Sequence, residues 1–318
     1  MTQKQHFGVT SMNNVLDDHR LRYLYEAIRL GSVRAAADAM GVNPSVVSRQ
    51  ISQLEKDLDL RLIERLGRGV RATEAGALLV DRFRRWSAER EDTLAKLREI
   101  QGLQRGHLDI ILGEGFVSDL MSGPLLAFWR RYPRLTMAFH VGGTDEVIRS
   151  VVDDRSHMGL VYHAPSDPRL RVNASIRQPI CLIARPDHPL AQAGRPARLA
   201  EIARCSLGLM QSNYGVRQIV SLAEAADQVG LSPQLTTDSM YVLRAFAKAD
   251  MGVTLLPAFA VESDLADGSL VAVPIDSPLL MAGEAQLVTR AGRELPAAAS
   301  QLLRYLGARM RAFRGGAE

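Results

Sequence analysis

What the chain lacks narrows its function first. None of its 318 positions opens a run of about 18 apolar residues, so no membrane-spanning helix is expected. The opening stretch MTQKQHFGVTSMNN has no apolar segment of the kind a secretory signal needs. Two cysteines, Cys181 and Cys205, do not make a disulfide framework, and these absences together point to a cytoplasmic protein. The seven histidines show no HExxH or similar ligand spacing, so no metal site is expected. There is no GxSxG elbow, no P-loop and no GxGxxG after a strand, which leaves enzyme chemistry and bound cofactors without a motif to rest on.

What is present is an ordinary globular composition, 47% hydrophobic, in a chain long enough for two or three domains. The net charge is only +4, but its location is informative. Residues 1–105 carry 18 Lys and Arg against 14 Asp and Glu, and the remainder carries 21 of each. The excess therefore lies in the N-terminal third, where a polyanion would be met.

That third contains the most informative stretch, Gly31 to Glu55 (GSVRAAADAMGVNPSVVSRQISQLE). Val33, Ala36, Ala37 and Met40 recur at helical spacing behind Ser32, a suitable N-cap, and Gly41 ends the helix. Asn43 caps a second helix that has Pro44 at its first position, where a missing N–H costs nothing. Val47, Ile51 and Leu54 make its apolar stripe; Ser45, Ser48, Arg49, Gln50 and Gln53 face outward. Hydroxyls, amides and a guanidinium suit base edges and phosphate oxygens, as a helix-turn-helix recognition element requires. The pattern alone also fits a helical hairpin with a solvated face. The balance is tipped by Ile63 to Gly76 (IERLGRGVRATEAG), where Arg65, Arg68 and Arg71 surround two glycines before a Thr-Glu helix start, the pattern of a backbone-gripping wing.

With these motifs in place, residues 16–76 resemble the winged helix-turn-helix of LysR-type transcriptional regulators. The matching marks are Leu21 to Leu24, the Gly-Ser turn, the Ala-rich helix, Ser48 to Ile51, the Leu54-Glu55 pair and Thr73 to Gly76. One departure is that Pro44 and Ser45 follow the cap where the family often has Gln and Pro, so the usual base-contacting Gln is absent. The expected DNA-facing residues are Arg34, Ser45, Ser48, Arg49, Gln50 and Gln53, with Arg65, Arg68 and Arg71 on the wing.

From Thr73 to about Gln104 a proline-free stretch repeats Leu79, Phe83, Trp86, Leu94, Leu97 and Ile100 at steps of three or four between dense charges. A long helix with a narrow apolar seam packs either on its own domain or on a second copy. The second is favoured, because a two-fold dimer matches a two-fold DNA site, and the resemblance also implies a dimerising linker helix.

After Gly106, short apolar runs alternate with amphipathic stretches. Strands are expected at 108–112, 135–141, 158–162, 180–184, 207–210, 235–237, 253–256 and 270–273, and helices at 118–131, 144–153, 214–229, 240–249 and 297–311. The β-α-β order argues for parallel sheet. Two proline-rich crossings, at 165–189 and 274–278, suggest two α/β lobes. The resemblance extends here, through Tyr132-Pro133, Gly142-Gly143-Thr144, His188-Pro189-Leu190 and Gly252-Val253 to Leu256-Pro257. It implies a two-lobed α/β domain like type 2 periplasmic binding proteins.

The resulting fold class is multi-domain α/β. Its expected parts are a flexible extension at 1–15, a DNA-binding domain at 16–76, a linker helix at 77–105 and an effector domain at 106–318. Lobe I would take 106–178 and 281–318, and lobe II 179–280.

A small polar ligand, plausibly a carboxylate, would sit between the lobes, where helix N-termini converge. Candidate contacts are Gly115 and Ser118, Gly143 and Thr144, then Gln211, Ser212, Asn213 and Arg217, with Asp238 and Ser239. The expected partners are double-stranded DNA at an interrupted palindrome, a small-molecule effector and further copies of the chain. The resemblance implies a dimer of dimers. A solute-binding protein or enzyme with an accessory helical domain is the rival reading. Cys181 and Cys205 read as small buried hydrophobes, with a redox switch of the kind some relatives use as the alternative.

Overall fold

A computed structural model describes residues 18–66, 69–100 and 106–314. The proposed extension at 1–15 and Arg68 lie outside the described residues. By internal contacts the chain divides into two units, one up to Glu91 and one from Asp92 onward.

The first unit holds helices α1 (Asp18–Arg29), α2 (Val33–Met40) and α3 (Pro44–Leu58), a hairpin of β1 (Ile63–Arg65) and β2 (Val70–Ala72), and most of α4 (Glu74–Ile100). Local signals start and stop these helices as the sequence leads one to expect. Ser32 Oγ accepts from the Ala35 N–H at 3.3 Å, Asn43 Oδ1 accepts from the Ser45 N–H at 3.0 Å, and Gly41 ends α2 at φ 65°. Leu21, Leu24, Ala27, Ala36, Ala37, Val47, Ile51 and Leu54 form the core with Leu62, Ile63, Val80 and Phe83. Each large side chain among them contributes about 1.5–3 kcal/mol by leaving water.

The Leu54-Glu55 pair divides its labour. Leu54 is buried, while the Glu55 carboxylate accepts from the Leu62 and Ile63 amides at 2.8 and 3.3 Å, fixing where the hairpin leaves the core. Thr73 Oγ1 donates to the Arg61 carbonyl at 2.7 Å and accepts from the Gly76 N–H at 3.1 Å. At Gly76 a Cβ would fall 1.9 Å from the Leu62 carbonyl oxygen, so the start of α4 needs a residue without one.

Helix α4 has 27 residues and spans about 40 Å. Its seam is split. Phe83 is buried beside Tyr25, with ring centroids 5.5 Å apart, and Leu79 and Trp86 pack on the same core. Farther along, Leu94 and Leu97 are 42% and 51% exposed. The first half of the helix therefore packs on its own domain, whereas Leu94 and Leu97 in the second half are exposed.

The second unit contains two five-stranded sheets. The first uses β3 (Gly106–Leu112), β4 (Leu135–Val141), β5 (Met158–Tyr162), β6 (Leu170–Arg177) and β12 (Glu284–Arg290), in the order β4-β3-β5-β12-β6. The other uses β7 (Ile180–Ala184), β8 (Leu207–Met210), β9 (Leu235–Thr237), β10 (Val253–Pro257) and β11 (Val271–Val273), in the order β11-β7-β10-β8-β9. The chain thus leaves the first sheet after β6 and returns through β12.

Helices α5 (Gly115–Met121), α6 (Pro124–Arg131) and α7 (Thr144–Val152) cover the first sheet's segment, and α14 (Ala297–Arg309) follows β12. Short helices α8 (Pro189–Gln192) and α9 (Leu199–Ile202), longer α10 (Gly215–Asp227) and α11 (Met240–Lys248), and short α12 (Glu262–Ala266) and α13 (Pro278–Met281) accompany the second.

Three expectations need correction. Both sheets are mixed rather than parallel: β3 pairs β4 and β5 in parallel, whereas β12 runs antiparallel to β5 and β6, and β7 antiparallel to β10 and β11. Strands β6 and β12 were not foreseen, because β6 is a half-exposed edge rich in polar residues and β12 has only Leu287 and Val288 side by side instead of an apolar run or a clean alternation. The helix expected at 118–131 is broken at Gly123, because Pro124 has no N–H to continue α5 and instead opens α6.

The chain's end is held by polar contacts from the body of this unit. The buried Asp119 carboxylate accepts from the Arg311 and Ala312 amides at 3.2 and 2.9 Å. Nearby, Gln178 Nε2 donates to the carbonyls of Arg311, Ala312 and Arg314.

Candidate nucleic-acid interface and ligand cleft

Asn43 and Pro44 launch α3 so that its valine, isoleucine and leucine stripe is buried and its polar side is not. Arg49 is exposed, and Ser48 and Gln50 are half-buried at the surface. Ser48 Oγ accepts from Arg65 Nη2 at 3.1 Å, which joins the helix to the hairpin. Ser45 donates its hydroxyl to Asn43 Oδ1 at 2.9 Å, and Gln53 gives its amide to Asp57 at 2.7 Å. Across β1–β2, Arg71 pairs with Glu64 at 2.7 Å. Arg34 and Arg49 are exposed. The surface is therefore one helix face with a guanidinium at its centre and a second guanidinium beside it on the hairpin. Such a face can meet base edges and phosphates together.

The second unit encloses a cavity between its sheets, lined by Glu114, Gly115, Phe116, Thr144, Tyr162, Tyr214, Met240 and Phe259 among others. Its volume, about 20 Å³, is room for about one water. The walls meet directly: the Thr144 N–H at the start of α7 donates to the Asn213 carbonyl at 2.9 Å, and the start of α10 at Gly215 lies against the Tyr162 carbonyl. Tyr162 donates its hydroxyl to the Gln178 carbonyl at 2.5 Å, and burial pushes its pKa well above the usual phenol range. Tyr214 is raised too, first by burial and then by the carboxylates of Asp238, Glu114 and Glu146.

Glu114 is the ionisable group of the floor. Its carboxylate accepts from the Met240 N–H and, at 3.4 Å, from the Ser239 hydroxyl. Burial raises its pKa above the ordinary glutamate value, against the opposing pull of those bonds and of Arg244.

Of the ten residues expected to contact a ligand, Gly115 and Thr144 line the cavity. Gly143 caps α7 beside Asn213, and Ser239 reaches Glu114. Gln211, Ser212, Asn213 and Asp238 are exposed, and Ser118 is half-buried on α5. Arg217 does not face the cavity as proposed; its guanidinium is held on its own helix by Ser221 and Glu224, at 2.6 and 2.5 Å. Glu114, Tyr162 and Phe259 also line the cavity without having been expected there, and Tyr214 lies in the expected 211–217 stretch without having been singled out. The one available signal was a Glu between two glycines (Gly113-Glu114-Gly115) at a strand's C-terminal end.

Neither cysteine has thiolate character: burial pushes Cys181 up to about 11 and also raises Cys205. No group of His, Cys, Asp and Glu among the described residues is arranged to hold a metal ion, and no described helix is long and apolar enough to cross a membrane.

Two family models match. One, the LysR substrate binding domain, covers residues 101–311, and the other, the bacterial regulatory helix-turn-helix protein of the lysR family, covers residues 19–77. A relative, the HTH-type transcriptional activator CmpR of Synechocystis sp., is 21% identical over 81% of this chain and 84% of its own length. The crystal structure of ArgP from Mycobacterium tuberculosis superposes with a TM-score of 0.67 at 21% identity, covering 93% of this chain and 98% of that one. Full-length CbnR in complex with its target DNA gives 0.57 at 17% identity, covering 91% and 98%.

Proposed function

The chain belongs to the LysR family of transcriptional regulators, and on that premise we propose how it works. It is a DNA-binding regulator rather than an enzyme. In our reading it acts in the cytoplasm, where residues 16–76 grip an interrupted palindrome, residues 77–105 pair copies of the chain, and residues 106–318 take a small polar effector with an acidic group.

The observation that carries the DNA reading is the exposed Arg49 face of α3 with Arg65 bonded alongside it. Binding of the purified chain to its own upstream DNA, followed by anisotropy while salt is titrated, tests it. A steep fall in affinity with salt and preference over scrambled duplex are expected; equal binding to both duplexes removes the reading. A genome-wide footprint would then name the target genes.

The exposed Leu94 and Leu97 support pairing through α4, with a dimer of dimers as the full assembly. The cleft between the two sheets supports the effector reading, because helix starts and hydroxyls converge there. An effector shifts the regulator only by binding one arrangement better than another. Calorimetry against a panel of metabolite acids tests the ligand class, and silence across the panel excludes it.

A further inference from the structure

Glu114 joins two parts of the effector domain that belong to different sheets. It stands between β3 and α5, beside the first sheet, whereas Ser239 and Met240 open α11, which packs on the second. Its carboxylate takes the Met240 amide and the Ser239 hydroxyl, with the Tyr241 amide as a further donor. Helix α11 runs for nine residues, and Arg244 adds positive potential one turn along. Aligned amides at a helix start plus a hydroxyl are the components of a carboxylate receptor. Here the receptor is already filled by a carboxylate of the facing lobe.

Helices α5, α7 and α10 also begin at the cavity, and the start of α7 is likewise taken. The α7 amide of Thr144 is bound by the Asn213 carbonyl. Between them lies space for about one water. The donors at the start of α11 that an acidic ligand would use are therefore already engaged by Glu114.

We propose that Glu114 is a tethered stand-in for the effector's acidic group: it holds lobe to lobe in the ligand-free chain and is displaced from α11 when the effector enters. This rests on the effector reading above and adds a specificity-determining residue to it. Only a ligand whose acidic end out-competes Glu114 for Ser239, Met240 and Tyr241, while its remainder fills the space so opened, shifts the domain. Small acids without that remainder are excluded by the chain itself.

The test uses the full-length chain and sodium formate as probe, with sodium chloride at equal ionic strength as control. Glu114→Ala vacates the receptor without refilling it. Calorimetry should show formate binding to the variant at millimolar concentration, and formate should raise its unfolding temperature, while the unsubstituted chain responds to formate and chloride alike. Hydrogen exchange supplies a second readout that needs no ligand. In both Glu114→Ala and the gentler Glu114→Gln, which retains an acceptor oxygen but loses the charge, exchange at the Met240 and Tyr241 amides should quicken at least tenfold, with α14 unchanged. Equal formate responses in variant and parent, or unaltered exchange at Met240 and Tyr241, would overturn the proposal. Should Glu114→Ala not fold, the Glu114→Gln exchange pattern decides. If the metabolite panel is silent, the effector reading fails and the stand-in role falls with it, whatever formate does. If the parent binds an acid from the panel and the variant ignores formate, the effector reading stands and the stand-in alone is overturned.

Discussion

Arg293 closes on Asp92 with two parallel bonds, Nε to Oδ2 at 3.1 Å and Nη2 to Oδ1 at 3.0 Å, and turns its remaining nitrogen to Asp154 at 3.1 Å. Arg290 contacts Asp154 as well, and both side chains of the Arg293–Asp92 pair are less than a tenth exposed. A buried pair of this geometry is worth less for its attraction than for what its loss leaves behind. Arg293→Ala would strand Asp92 without its fork and Asp154 with only Arg290. It should therefore destabilise the second unit by about 3–5 kcal/mol, read from urea unfolding. A change within 0.5 kcal/mol, about the scale of a surface substitution, would show that water reaches the site.

The two arginines at the DNA face should fail differently. If Arg49 reads a base edge, Arg49→Ala relaxes preference at one operator position by about 1–3 kcal/mol and leaves the others intact. Arg65→Ala should weaken binding to every sequence alike and lower the slope of log affinity against log salt by about one. Anisotropy across single-base operator variants at several salt concentrations separates the two patterns; uniform loss in Arg49→Ala would make it a phosphate contact instead.

Gly76→Ala should destabilise the first unit, because the new methyl would meet a backbone oxygen held by β-hairpin geometry rather than a side chain that can turn away. The overpacking penalty is about 1–3 kcal/mol, with rigid backbone at the upper end. Gly230→Ala, where a Cβ meets nothing within 4 Å, is the control and should alter thermal unfolding little.

Leu94→Glu with Leu97→Glu should reduce the mass measured by light scattering without lowering the chain's unfolding temperature, since neither leucine is buried within the chain. Undiminished mass would move the subunit contact elsewhere.

Cysteine chemistry offers a pH test. With the Cys181 thiol pushed up to about 11, the reactive thiolate is scarce near neutrality and grows only as pH climbs toward that value. Labelling of Cys181 by a thiol reagent at pH 7.5 should be about 10²-fold slower than for an unstructured thiol, and still be accelerating above pH 10. Fast labelling at neutral pH would revive the redox alternative.

Much of the first unit was legible because its instructions are local. The Ser32 and Asn43 caps lie within three residues of the amides they satisfy. Strand β12 was not legible, because its partners β5 and β6 are more than a hundred residues away and its own sequence has only Leu287 and Val288 side by side, neither an apolar run nor a clean alternation. The cavity was harder still. Glu114 and Met240 are 126 positions apart, and nothing beside either announces the other. Arg217 shows the converse: a charge beside a loop suggested a ligand contact, and in the structure its guanidinium bonds Glu224, two turns along the same helix.

The strand order has a consequence during synthesis. Strand β12 lies in the interior of its sheet, flanked by β5 and β6, yet among the described strands it comes last along the chain. Until residue 290 emerges, β5 and β6 lack the strand that joins them, while every described strand of the other sheet comes earlier. The later-encoded lobe can thus mature first, and a nascent chain of which residue 281 but not residue 284 has left the ribosome would carry one half with all its described strands and one with open strand edges, the half a chaperone would have to shield.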